Sequence, residues 1–140
     1  MSADRRVLLV DDDRALLETL GKFFTSRGWS VARASDARAA VAAFERDRPD
    51  VIVLDLQLPG LSGLELLELL RARDPDATVL LLTGHGDIQT AVEAMRLGAE
   101  NFLTKPMELP HLEAAAERAY EKAALKRTNR YYAERDAGEK

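Results

Sequence analysis

The sequence predicts an α/β protein: a five-stranded parallel sheet, doubly wound with helices on both faces. Three observations predict it. Short apolar runs alternate with helical patterns five times along the 140 residues. The apolar runs are unbroken, as in strands buried on both faces, and do not alternate with polar residues. Strand–helix alternation of this kind implies parallel pairing through right-handed crossovers.

The first strand is read at Arg5–Val10, where Val7, Leu8, Leu9 and Val10 are consecutive. Asp11, Asp12 and Asp13 follow at once. A helix comes next, with Leu16, Leu17, Leu20, Phe23 and Phe24 on one side, and Gly28 stops it. Trp29–Ala34 is the second strand. Ser35 or Asp36 caps a helix reaching about Asp47, with Ala39, Ala40, Ala43 and Phe44 inward. Val51–Leu54 is the third strand, and Pro59-Gly60 and Gly63 punctuate the loop beyond it. Leu64–Arg73 is helical, and Thr78–Leu82 is the fourth strand. Asp87 caps a helix with Ile88, Ala91, Val92, Met95 and Leu97 as its apolar set, ended by Gly98. Glu100–Leu103 is a short fifth strand. The last helix starts near Leu109 and runs past Tyr120 along a narrow stripe of Leu109, Leu112, Ala116, Ala119 and Ala123. Its charged residues are spaced for ion pairs three or four positions apart. The domain proper is placed at residues 1–125. Residues 126–140 are expected to be an extension of the last helix, a linker or a tail.

Composition narrows the function. The net charge of −4 offers no broad basic surface for nucleic acid, so direct nucleic-acid binding is not expected. Cysteine is absent, which excludes disulfides, thiolate metal sites and cysteine nucleophiles. That fits a reducing cytoplasm, the expected location. Met1–Arg6 is short and polar, so no signal peptide is expected, and no apolar run is long enough to span a bilayer.

Ligands of open parallel sheets bind outside the carboxyl ends of the strands. Four of the five ends carry polar groups: Asp11–Asp13, Asp55, Thr83 with Gly84 and His85, and Thr104 with Lys105 and Pro106. Asp11, Asp12 and Asp55 together would repel one another unless protons or a cation neutralise them. An all-oxygen set in a small, wet site favours Mg2+. A carboxylate is also a competent nucleophile and forms an aspartyl phosphate. Lys105 and Thr83 would then supply a counter-charge and a hydroxyl to the phosphoryl oxygens. Each residue also has a plainer reading. The three aspartates suit the positive end of a helix, with Asp13 its N-cap. Asp55 suits a turn, Thr83 a strand end, and Lys105 a solvated surface. His85 reads as a loop residue and His111 as a surface residue of the last helix. The combination is more specific than any member, because the fold brings all of them to one edge.

In order along the chain, Val7–Asp13, Val51–Gly60 with Gly63, Leu81–Gly86 and Gly98–Pro106 resemble the receiver domains of response regulators over roughly residues 5–125. The resemblance implies a flavodoxin-like (βα)5 fold with strand order 2-1-3-4-5. It implies Asp55 as phosphoacceptor, loaded by a sensor histidine kinase or a phosphotransfer protein. Asp11, Asp12, Asp55 and the backbone carbonyl of Gln57 then hold Mg2+. Thr83 and Lys105 contact the phosphoryl group, Phe102 is the aromatic switch, and the bond before Pro106 is cis. The only chemistry implied is Mg2+-dependent phosphorylation of the domain itself and slow autodephosphorylation. The fourth helix, fifth strand and fifth helix form the face expected to change on phosphorylation, and the chain is expected to dimerise there or through its extended last helix.

Residues Thr83–Asp87 and Ala91–Met95 look like the NtrC-like and FixJ-like groups of transcription regulators. The sequence has no Walker-type loop for an ATPase domain, so an excised or a stand-alone receiver is expected. The competing enzyme reading is a haloacid-dehalogenase-like phosphatase. Such enzymes resemble this pattern but place an acid/base aspartate two residues after the nucleophile, where this chain has Gln57. A receiver reduced to a binding module is the other alternative, and the full set of Asp11, Asp12, Asp55, Thr83 and Lys105 argues against it.

Overall fold

The computed structural model describes residues 5–84 and 88–138, the last three of these by backbone alone. The elements in order are β1 (Arg5–Val10), α1 (Arg14–Ser26), β2 (Trp29–Ala34), α2 (Ala37–Asp47), β3 (Val51–Asp55), α3 (Gly63–Arg73), β4 (Thr78–Thr83), α4 (Ile88–Arg96), β5 (Asn101–Thr104) and α5 (Leu109–Gly138). All strand pairs are parallel, in the order β2-β1-β3-β4-β5. The α/β class and the strand order are therefore those expected.

Neighbouring residues on a strand point to opposite faces, and here both faces are buried. Leu8, Val10, Ile52, Leu54, Val79 and Leu81 pack with Phe44, Leu66, Leu67 and Leu70. Val7, Leu9, Val51, Val53, Leu80 and Leu82 pack with Leu17, Leu20, Phe24, Trp29, Leu112 and Ala116. The helices α1 and α5 thus cover one face, and α2, α3 and α4 the other. Side-chain caps start three helices where the backbone would otherwise leave N–H groups unpaired. Asp13 accepts from Leu16 N, Asp36 from Ala39 N, and Ser62 from Glu65 N.

Four details differ from the sequence reading. Ala39 is exposed while Ala37 and Ala40 are buried, because capping by Asp36 sets the phase of α2. In α4 only Ala91 and Ala94 are buried; Ile88, Val92 and Met95 are 48%, 47% and 38% exposed. The small alanines let α4 lie close to the sheet, and the larger residues turn outward. Strand β5 is shifted by one residue to Asn101–Thr104. The ion pairs of α5 reach across to other elements: Glu113 to Arg27, Glu117 to Arg5, Lys122 to Glu100, and Arg127 and Arg130 to loop aspartates. Helix α5 continues unbroken to Gly138. The expected roles of Asp87 as a cap and His85 as a loop residue lie outside the described residues.

Gly63 does more than punctuate. Its N–H donates to Leu56 O at 3.1 Å, which brings the start of α3 against the chain just past Asp55. A Cβ at this position would lie 2.5 Å from Leu56 Cα and 2.6 Å from its carbonyl oxygen. Backbone cannot yield as a side chain does. Gly63→Ala is therefore expected to cost about 1–3 kcal/mol, read as a lower urea midpoint with an unchanged slope.

Candidate functional site

Strand register assembles the site. Val10 lies beside Leu54, so Asp11 leaves β1 next to Asp55 at the end of β3. Asp55 pairs with Leu82, which puts Thr83 one residue beyond it, and Thr83 pairs with Thr104, which precedes Lys105. Four chain segments separate in sequence thus deliver polar side chains to one sheet edge, where residues past a strand end are free to turn toward each other.

Asp11 and Asp55 are both buried, at 1% and 7% exposure, whereas Asp12 is exposed. The carboxylates of Asp11, Asp12 and Asp55 present oxygens that all lie within 4.8 Å of one another. Backbone groups orient the two buried ones. Asp13 N–H donates to Asp11 Oδ1 at 2.9 Å, and Gln57 N–H donates to Asp55 Oδ1 at 3.0 Å. Their other oxygens face Lys105, whose Nζ lies 2.6 Å from Asp11 Oδ2 and 3.2 Å from Asp55 Oδ2. One ammonium therefore bridges two buried carboxylates. The backbone holds it there: Lys105 N–H donates to Thr83 O at 2.7 Å, and the Lys105–Pro106 bond is cis.

The electrostatics follow from this crowding. Burial, which disfavours the charged form, raises the Asp55 carboxyl above the ordinary range. The Gln57 N–H opposes that shift, Asp11 adds to it by repulsion, and Lys105 opposes it. Burial acts to lower Lys105, but its hydrogen bond and attraction to Asp11, and then to Asp55, outweigh burial and raise it. The site thus disfavours the charged form of Asp55 and favours that of Lys105.

Thr83 is fully buried, and among the described residues its hydroxyl oxygen has no hydrogen-bond partner. A buried hydroxyl without a partner is costly and uncommon. Phe102 is half-buried on β5 and packs against the core cluster behind the site. Gln57 is exposed just past Asp55, and His111 is exposed at the start of α5. The structure therefore brings Asp11, Asp12, Asp55 and Lys105 together, with Thr83 in the adjacent row. Asp13 serves as the cap of α1. Sequence reasoning missed the backbone donors from Asp13 and Gln57. The signal for them was present: a carboxylate at a strand end commonly accepts from the N–H two residues on.

All-oxygen donors in one cluster fit a hard divalent cation. Lys105 offsets only part of the negative charge of the cluster, because it pairs with Asp11 and Asp55 and supplies a single positive charge. No helix among the described residues is long and apolar enough to cross a membrane.

The family model for the response regulator receiver domain matches residues 7–117. The C4-dicarboxylate transport transcriptional regulatory protein DctD of Pseudomonas aeruginosa is 43% identical over 128 residues, 91% of this chain and 28% of DctD. The transcriptional regulatory protein FixJ of Bradyrhizobium diazoefficiens is 38% identical over 123 residues, 88% of this chain and 60% of FixJ. The chain thus spans less than two thirds of either relative. Among solved structures, a response regulator receiver domain protein from Clostridium thermocellum superimposes with a TM-score of 0.83 at 30% identity. That match covers 86% of this chain and 98% of the other.

Proposed function

The chain belongs to the response regulator receiver domain family, and from that membership we propose that Asp55 takes a phosphoryl group from a sensor histidine kinase or a phosphotransfer protein. The observation that carries this reading is the Asp11–Lys105–Asp55 arrangement, with one Asp55 oxygen held by the Gln57 N–H and the other turned toward Lys105. Receiver domains are not in themselves an enzyme family. The chemistry we assign is loading of Asp55 and its slow hydrolysis.

Each residue has a role. An Asp55 carboxylate oxygen attacks phosphorus, and the bond from phosphorus to the donor breaks. Lys105 stays charged and draws the transferred oxygens. Thr83, buried without a partner among the described residues, donates to one of those oxygens once it is present. Asp11, Asp12, Asp55 and the Gln57 backbone carbonyl would hold Mg2+. When bound, Mg2+ supplies further counter-charge at the phosphoryl oxygens. Gln57 lacks the acid/base function that a substrate-turning phosphatase needs at that position.

The output follows from where these residues sit. Thr83 ends β4 and is followed in sequence by α4; Lys105 lies between β5 and α5. Drawing Thr83 and Lys105 toward a phosphoryl group shifts the populations of α4, β5, Phe102 and α5. That face carries Ile88, Val92 and Met95 in a half-exposed row at helical spacing, and α5 carries Leu125 and Tyr132 outward. We assign homodimerisation to this face or to the extended α5. By analogy with DctD and FixJ, we assign the chain to transcription regulation in the cytoplasm.

Mg2+ with beryllofluoride tests the site and the switch in one sample. At about 100 times its dissociation constant, a ligand of the folded state adds about 2.7 kcal/mol of stability. Wild type should show a raised melting temperature and a changed mass in solution, and Asp55→Asn neither. A wild type that is unmoved in both would contradict the assignment.

A further inference from the structure

Helix α5 has 30 residues, so it is about 45 Å long and outruns the strands it covers. Its buried apolar residues are Leu112, Ala115, Ala116, Ala119 and Ala123, and among the described residues none after Ala123 is buried. Polar side chains continue the contact. Thr78 Oγ1, from the first residue of β4, donates to Ala119 O at 2.8 Å. One turn past Ala123, Arg127 reaches Asp74 Oδ2 at 3.0 Å and Asp50 Oδ1 at 3.4 Å. Arg130 then holds Asp76 with two parallel bonds, Nε to Oδ2 at 2.8 Å and Nη2 to Oδ1 at 3.0 Å.

The acceptors are built into the fold. Asp50 immediately precedes β3, and Asp74 and Asp76 lie in the turn between α3 and β4. Asp74 is the C-cap residue of α3, and its Oδ1 accepts from Asp76 N–H at 3.1 Å. Asp76 is only 6% exposed. A bidentate guanidinium on a nearly buried carboxylate is geometrically specific, unlike an ordinary surface pair. Removing the guanidinium would strand that carboxylate. The Arg130 hydrogen bond also holds the Asp76 carboxyl below its ordinary range.

We propose that Arg127 and Arg130 form a latch that fastens α5 to the base of the sheet, extending the receiver's folded unit to residue 130 and fixing the bearing of residues 131–138. The latch places the end of the domain five residues beyond the boundary at residue 125 expected from the sequence. It lies at the starting ends of β3 and β4, the strands whose far ends carry Asp55 and Thr83. It also sets which way Leu125 and Tyr132 face. The inference does not rest on the phosphoacceptor reading, because it concerns the opposite end of the sheet.

Hydrogen exchange on the full chain tests it, comparing wild type with Arg130→Ala and with Asp76→Asn, which leaves no stranded charge. Amides of residues 124–134 should exchange at least about tenfold faster in both variants, with those of β3 and β4 unchanged. The charge swap Asp76→Arg with Arg130→Asp should restore protection. Unchanged exchange at 124–134 would overturn the latch. So would a loss spread evenly over the domain, which is ordinary destabilisation. If Arg130→Ala does not fold, Asp76→Asn is read by the same two criteria.

Discussion

Asp55→Asn should fold, and should take up no phosphate from acetyl phosphate in Mg2+. The amide keeps the shape of the side chain and an oxygen to accept the Gln57 N–H. It removes the nucleophile, since an amide oxygen does not form a stable acyl phosphate in the way a carboxylate does. The same substitution makes a prediction about stability. Burial, reinforced by Asp11, raises Asp55 in the folded state. A raised carboxyl binds its proton more tightly when folded, so its favourable contribution is complete below the ordinary carboxylate range. That contribution is lost as pH rises through the raised value. Wild type should therefore lose stability across that window relative to Asp55→Asn, and urea midpoints at several pH values will show the difference. Midpoints of the two proteins that run parallel would contradict the electrostatic account. Labelling of Asp55→Asn at the wild-type rate would contradict the chemical one.

Lys105→Ala has the second largest expected effect, and its two consequences have separate causes. The transferred phosphoryl group loses a positioned counter-charge, which should slow labelling by about 10²–10³-fold. In the resting protein the ammonium bridges Asp11 and Asp55 at 2.6 Å and 3.2 Å. Without it two buried carboxylates face each other unneutralised. Breaking a fully buried pair costs about 3–5 kcal/mol; because the Lys105 side chain is partly open to solvent, about 1–3 kcal/mol is expected here. Added Mg2+ should then stabilise Lys105→Ala more than wild type, because it supplies the missing positive charge. Thermal melts with and without Mg2+ read this directly, and an equal shift in both proteins would contradict the bridging role.

The site was legible in the sequence because it obeys a rule of position. Asp11, Asp55, Thr83 and Lys105 each stand at or just past the end of an apolar run, and parallel strands in register bring such ends together. Asp55 alone was ambiguous with a turn residue; its partners came from the fold. The strands were legible for the same reason, since Val51–Leu54 or Leu80–Leu82 can only be buried on both faces. What sequence left hidden was set by distant contacts. The stripe of Ile88, Val92 and Met95 has helical spacing, but spacing does not say which side of a helix faces the core. Two alanines, Ala91 and Ala94, decided that by allowing close approach. Gly63 looked like loop punctuation, because nothing local shows that Leu56 backbone occupies the space of its Cβ. Arg127 and Arg130 looked like solvated charges on a fraying helix. Their carboxylate partners are 53 to 77 residues away and meet them only once the sheet is built.

The central claim is that Asp55 carries the phosphoryl group, and locating that group tests it most directly. The protein is labelled with acetyl phosphate and Mg2+, reduced with borohydride and digested, and the peptides are sequenced by mass. Reduction converts an aspartyl phosphate to homoserine and leaves free aspartate intact. The account predicts homoserine at position 55, dependent on Mg2+. Homoserine at Asp11 or Asp12, or none anywhere in a protein that is folded and binds Mg2+, would contradict it.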